Sequence, residues 1–132
     1  MPEERLAVIG LGYVGLPLAI DLVRAGYLVE GVDVSTSRID RLTAGESYIG
    51  DVRPEDVREA LDSGRFNLRD GSSPSHSARA QFICVPTPVT RSMEPDLEPV
   101  LRAAVYVRGG LRARDLVVLQ STTDPGTTLG PE

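Results

Sequence analysis

The 132-residue sequence contains no lysine; all 14 of its basic residues are arginines. No lysine in this chain can therefore be catalytic. A single cysteine, Cys84, excludes an internal disulfide and fits a reducing compartment. The lone histidine, His76, falls in a serine-rich stretch and is expected to be exposed rather than chemically engaged. Aromatic residues make up only 5% of the chain, so its core must be aliphatic. No apolar run approaches the roughly 18 residues that a membrane span requires. The start, "MPEERLAVIG", passes from charge straight into a short apolar run, which is too short and wrongly flanked for a signal peptide. A cytoplasmic protein without membrane contact is expected. The net charge of -5 argues against nonspecific nucleic-acid binding. No metal site is expected.

What remains is ordinary globular material, 41% apolar and 25% charged, of a length that suits one domain. Such a chain can bury a core without disulfides or metals. Leu6 to Ile9 is a short apolar run ending at glycine, which reads as a buried strand. Gly15, Leu18, Ala19 and Leu22 recur at helical spacing. Gly26 stops that helix, and Pro17 falls in its first turn, where a missing N–H does little harm. A second strand covers Leu28 to Asp33. Ser35 or Ser37 caps a helix running to about Ala44. "AGESYIGD" is a loop. Pro54, Glu55 and Asp56 open a further helix with acids in its first turn, and Gly64 closes it. A weak strand follows near Arg65 to Leu68. "DGSSPSHSARA" reads as an exposed, mobile loop. "QFICV" is a strand cut off by "PTP". Asp96 caps a helix whose Leu97, Leu101, Ala104 and Val105 share a face, and Gly109–Gly110 end it. Leu116 to Gln120 is the last strand, and "STTDPGTTLGPE" is a polar tail.

This alternation of strands and helices predicts an α/β domain. It is a Rossmann-type parallel sheet with helices on both faces, a single three-layer domain over residues 1–132 with no internal boundary.

Gly10, Gly12 and Gly15 of "VIGLGYVGLP" thus sit at the first strand-to-helix turn. Backbone without side chains can approach a pyrophosphate there, and the helix start offers free N–H groups and a positive dipole end. A lone G-x-G-x-x-G is weak evidence, but here a strand precedes it and a helix follows. An acid, Asp33, closes the second strand eighteen residues past Gly15. Its carboxylate suits the adenosine ribose hydroxyls and repels a 2′-phosphate, favouring NAD over NADP. The opposing possibility is that the glycines only permit tight strand–helix packing. Arg38, at the start of the next helix, is placed to reach adenine, ribose or phosphate, or else is a solvated arginine. A parallel sheet of this type binds ligands beyond the carboxyl ends of its strands. Thr87 in "VPTP" and Ser121, Thr122 and Thr123 in "QSTT" fall at such ends, where ordinary turn chemistry is the alternative.

"VIGLGYVGLPLA", "GVD", "GESYIGDV", "ICVPTP" and "STTDPGTT" occur in an order and spacing that resemble the N-terminal NAD-binding domain of the UDP-glucose/GDP-mannose dehydrogenases. The likeness covers nearly the whole chain, and "GESYI", "VPTP" and "STTDPGTT" lean to the branch that oxidises UDP-N-acetylhexosamines. The resemblance implies oxidation of a sugar C6 alcohol to a carboxylate in two hydride transfers to NAD. A cysteine thiolate holds the intermediate as a thiohemiacetal. It implies that the Tyr13 and Val14 backbones face the pyrophosphate, that Asp33 holds ribose and Arg38 the adenosine side, and that Val85, Thr87 and Ser121 line the cofactor. Thr122 then stands near the reacting carbon and its water. The departures are large. The family protein is about three times longer, with a central helical part and a C-terminal UDP-sugar domain that this chain lacks. The family's catalytic cysteine lies in that missing region; Cys84, within "QFICVP", is instead expected to be a small buried residue. The family's catalytic lysine has no counterpart. The helix that precedes the fourth strand in the family has given way to "GSSPSHSARA". These sequence features predict an NAD-binding fragment, inactive on UDP-sugars by itself, from a homodimeric parent, and monomeric alone. Another NAD-dependent dehydrogenase of the hydroxyacid type, or a non-catalytic NAD-sensing module, are the competing readings.

Overall fold

The computed structural model describes residues 5–71, 78–85, 98, 101–104 and 116–119. The elements run β1 (Arg5–Ile9), α1 (Gly15–Arg24), β2 (Leu28–Val32), α2 (Thr36–Thr43), α3 (Pro54–Asp62), β3 (Phe66–Arg69), β4 (Ala80–Ile83) and β5 (Leu116–Leu119). Glu98 and residues 101–104 are helical. The five strands form one sheet in the order β3-β2-β1-β4-β5, and every pairing is parallel. Strand order therefore reverses between β1 and β4, which opens a crevice at their carboxyl ends.

The helices begin and end where local chemistry requires. Ser35 is the cap of α2: its hydroxyl accepts the Arg38 N–H at 3.3 Å. Gly26, at φ 103°, takes the left-handed turn after α1, while its N–H and that of Tyr27 return to the Val23 and Leu22 carbonyls. Gly64, at φ 76°, does the same after α3. At the start of α3 the Asp56 carboxylate accepts the Arg53 N–H at 3.0 Å. It also takes the Arg24 guanidinium at 2.7 Å, which ties the last turn of α1 to the first turn of α3.

Apolar strands buried on both sides need cover on both sides. On one side Val8 and Val29 pack with Leu16, Ala19, Ile20 and Val23 of α1, Leu42 of α2, and Val57 and Ala60 of α3. Each fully buried aliphatic side chain here contributes about 1.5–3 kcal/mol relative to exposure. Gly31 is part of this packing: a β-carbon there would stand 2.8 Å from the Phe66 ring and 3.2 Å from Leu11. On the other side Ala7, Ile9, Val32 and Ile83 pack with Ala78 and Ala103. The three-layer α/β arrangement expected from the sequence is thus present.

Boundaries fall within a residue or two of those expected, and two details differ. Ala78, assigned to the exposed loop, is fully buried against the second face, and Ala80 already belongs to β4. In the helical stretch after β4, Leu101 is exposed and Ala103 is buried, so the face expected from Leu101 and Ala104 is not the one turned inward. Two residues along a helix rotate the side chain by about 200°, and the small Ala103 is the one seated against the sheet. Residues 72–77, Asp96, Gly109–Gly110 and the polar tail lie outside the described residues.

The link between α1 and α3 is testable by pH. Bonding by the Arg53 N–H, then by the Arg53 guanidinium and Arg24, holds the Asp56 carboxyl down at about 2. A carboxylate in the unfolded chain titrates near 4, so the stabilisation is present above about pH 4 and is lost as pH falls through about 2. Asp56→Asn keeps an acceptor for the Arg53 N–H but removes the charge. We expect it to melt below the wild type at pH 7, with the gap closing between pH 4 and 2 in thermal scans.

Candidate functional site

The turn from β1 into α1 carries three glycines under three different constraints. Gly10 has φ 97°, and a β-carbon on it would lie 2.8 Å from the Cys84 carbonyl oxygen. A β-carbon on Gly15 would fall 1.6 Å from the Gly10 carbonyl oxygen and 3.2 Å from the Cys84 β-carbon. The protein itself thus forbids side chains at both positions. Gly12 is different: its β-carbon would meet only the Arg38 guanidinium, at an ordinary 3.6 Å. Among the described residues nothing demands glycine there, and Gly12 lines a cleft. A bare backbone at this point leaves room for a ligand to approach it closely.

The residue between the first two glycines is pinned on both sides. Leu11 is fully buried; its N–H donates to Asp33 Oδ2 at 2.9 Å, and its carbonyl accepts the Tyr48 hydroxyl at 2.7 Å. Among the described residues, no side chain caps α1, whose ladder begins with the Leu16 N–H on the Gly12 carbonyl. The earlier amides are the unsatisfied donors of a helix start, and the dipole adds positive potential there.

Asp33 follows β2 and is only 6% exposed. Besides Leu11, it accepts the Ser35 N–H at 2.8 Å on Oδ1 and pairs with Arg38 Nη1 at 3.2 Å through Oδ2. A carboxylate offers about four acceptor sites, so three donors leave capacity for a hydroxyl from outside. Asp33 therefore shapes the glycine turn as well as facing the cleft, a double role the motif spacing does not disclose. The Arg38 guanidinium lies 5.4 Å from the centre of the Tyr48 ring, and that of Arg41 lies 5.5 Å from it. Burial, aided by the negative Asp33, pushes the Tyr48 phenol up to about 12, so it remains a proton donor at neutral pH. Burial likewise pushes the Cys84 thiol up to about 11, which makes it a poor nucleophile.

These parts surround a cleft of about 590 Å³ at the strand reversal, large enough for a cofactor-sized ligand. Gly10, Gly12, Tyr13 and Val14 form its floor, and Asp33, Arg38 and Val85 line it as well. Gly15 is not in the lining; it lets α1 sit against the turn. Tyr13 and Val34 are 80% and 82% exposed at the cleft, offering apolar surface to a ligand. Glu98, Arg102 and Ala103 also line the cleft, and an ion pair joins Glu98 to Arg102. The sequence reading passed over that pair and Tyr48. For Tyr48 the available signal is a Tyr–Ile pair inside a loop of small and polar residues. Thr87, Ser121, Thr122, Thr123 and His76 lie outside the described residues. Among the described residues, no three His, Cys, Asp or Glu side chains gather as a metal site would need. No helix among them is long and apolar enough to cross a membrane.

Residues 4–130 match the family model described as the UDP-glucose/GDP-mannose dehydrogenase family, NAD binding domain. The UDP-N-acetyl-D-glucosamine 6-dehydrogenase of Salmonella typhi is 39% identical over 128 residues, 96% of this chain and 29% of that protein. The enzyme of the same name from Pseudomonas aeruginosa is 35% identical over 129 residues, 97% of this chain and 29% of that protein. Among solved structures, the UDP-N-acetyl-mannosamine dehydrogenase of S. aureus superposes with a TM-score of 0.81 at 32% identity, over 96% of this chain and 30% of that one. The chain spans about three-tenths of the length of these relatives.

The unequal glycines predict unequal substitutions. Gly12→Ala should fold, with a melting temperature within a few degrees of wild type, yet bind NAD at least about tenfold more weakly because its methyl group enters the cleft. Gly15→Ala should fail to reach the native state, since its methyl group and the Gly10 carbonyl claim the same space. Circular dichroism melts and calorimetric NAD titration check both.

Proposed function

Because the chain belongs to the UDP-glucose/GDP-mannose dehydrogenase family, as its NAD-binding domain, we propose that it supplies the cofactor half of a nucleotide-sugar 6-dehydrogenase. The substrate of the parent activity is a UDP-sugar, in the UDP-N-acetylhexosamine branch, whose C6 alcohol is oxidised to the uronic acid. The relatives named for UDP-N-acetyl sugars support the branch. The observation that carries the reading is Gly12, a glycine that the packing does not require, on the floor of a cleft at the strand reversal.

The donors present fit a dinucleotide. The Gly12, Tyr13 and Val14 amides would hold the pyrophosphate. Asp33 would accept from the adenosine ribose, with Arg38 on the adenosine side. Val85, Thr87 and Ser121 would serve the nicotinamide half, and Thr122 the reacting carbon. Bound NAD supplies the hydride acceptor for alcohol oxidation. The buried Asp33 carboxylate selects against NADP, because a 2′-phosphate would meet a negative charge that burial screens poorly.

The chemistry at the sugar needs groups this chain does not offer. Its one cysteine is buried with its thiol pushed up, and it has no lysine. The greater length of the relatives supports a separate sugar-binding part; the proposal adds a homodimeric parent, a monomeric isolated chain and a cytoplasmic location.

Calorimetric titration tests the assignment. NAD should bind at least about tenfold more tightly than NADP. Asp33→Ala should erase most of that difference and cost about 1–3 kcal/mol of stability, since the Leu11 and Ser35 amides lose their acceptor. Equal affinity of the wild type for the two dinucleotides would refute the role of Asp33. Oxidation of any UDP-sugar by the purified chain would refute its inactivity alone.

A further inference from the structure

We infer that Tyr48 is a positioning residue for dinucleotide binding: its hydroxyl fixes the Leu11–Gly12 peptide so that the Gly12 N–H is presented to the cleft. Tyr48 lies in the connection between α2 and α3, 37 positions along the chain from Leu11, yet its hydroxyl donates to the Leu11 carbonyl at 2.7 Å. It does not line the cleft, whereas Gly12 does. The Leu11 carbonyl and the Gly12 N–H belong to one planar trans peptide and point in opposite directions. A carbonyl held toward Tyr48, behind the cleft, therefore aims the N–H the other way. The preceding peptide is fixed as well, because the Leu11 N–H donates to Asp33. Glycine at position 12 would otherwise let this plane rotate freely. The ring is itself held: Arg38 and Arg41 stand over it, and Arg38 also pairs with Asp33. The high phenol pKa keeps the donor protonated at any physiological pH.

This inference rests on the cleft being the NAD site. Its test is Tyr48→Phe, which keeps the ring beneath both guanidinium groups and removes only the donor. Expected is a three- to tenfold loss of affinity for NAD and for ADP-ribose, with adenosine affinity unchanged within about twofold. Replacing Tyr48 with 4-aminophenylalanine, which restores a donor at the same place, should recover most of the loss. Equal weakening of adenosine and ADP-ribose would show a general structural role and overturn the inference, as would unchanged NAD affinity. If the unaltered chain bound no dinucleotide, the proposed function itself would fall, which separates the two failures. A measurement without substitution covers the case of a Phe variant that does not fold. In the unaltered chain, the Tyr48 hydroxyl proton should appear as a slowly exchanging resonance close to the Leu11–Gly12 backbone. A phenol proton in fast exchange with water, both with and without NAD, would overturn the inference.

Discussion

The space that a β-carbon on residue 15 would need is occupied by the Gly10 carbonyl oxygen, 1.6 Å from that position. The junction of β1 with α1 depends on this contact. It lets α1 start directly against the end of β1, with Leu16, Ala19, Ile20 and Val23 laid down onto the sheet and the first amides of the helix held at the cleft. A larger residue at position 15 would lift the helix, withdraw the donors and open the core in one movement. Cys84 belongs to the same contact: its backbone closes over Gly10 and its β-carbon touches the space at Gly15. Its burial therefore serves packing, and the raised thiol pKa is a consequence of that packing.

The second constraint is electrostatic. Asp33 is buried at the end of β2, where an unpaired carboxylate would be costly, and three donors compensate it: two backbone amides and one guanidinium. Those donors come from the glycine turn, from the cap of α2 and from the first turn of α2. One carboxylate thus joins the segments after β1 and β2 into a single rigid edge. Tyr48 extends that edge into the α2–α3 connection. Preorganisation of this kind lowers the ordering cost of binding, since donors already aimed by the fold need no rearrangement when a ligand arrives.

The sequence carries the fold and the floor of the site with different clarity. β1, α1 and β2 are legible because apolar runs, helical spacing and the stop at Gly26 agree with one another, and the turn between them is fixed by glycine spacing. Asp33 is legible from its distance to Gly15. Its bonds to Leu11 and Ser35 are not, because they depend on the direction of backbone amides rather than on residue type. Tyr48 is hidden for a similar reason: its partner is a carbonyl 37 positions away, and no periodicity marks such a pair. Leu101 and Ala103 show the limit of pattern reading in a helical stretch, where the larger apolar residue is exposed and the alanine is buried.

The two faces of the sheet are also unequal in a way that bears on the cleft. One side carries α1 to α3, and the other carries Ala78 and the helical stretch of Ala103. The side opposite α1 to α3 also holds the buried Glu30, whose ion pairs to Arg5 and Arg69 are long, at 3.9 and 3.6 Å, and the fully buried Gln81. Asn67, Glu30, Ala7 and Gln81 stand in one register row, so polar groups run across the middle of that face. The glycine turn, Asp33 and Arg38 are held by the side carrying α1 to α3, whereas Glu98 and Arg102 come from the helical stretch whose Ala103 packs on the other one. The cleft is thus assembled from elements on both faces of the sheet.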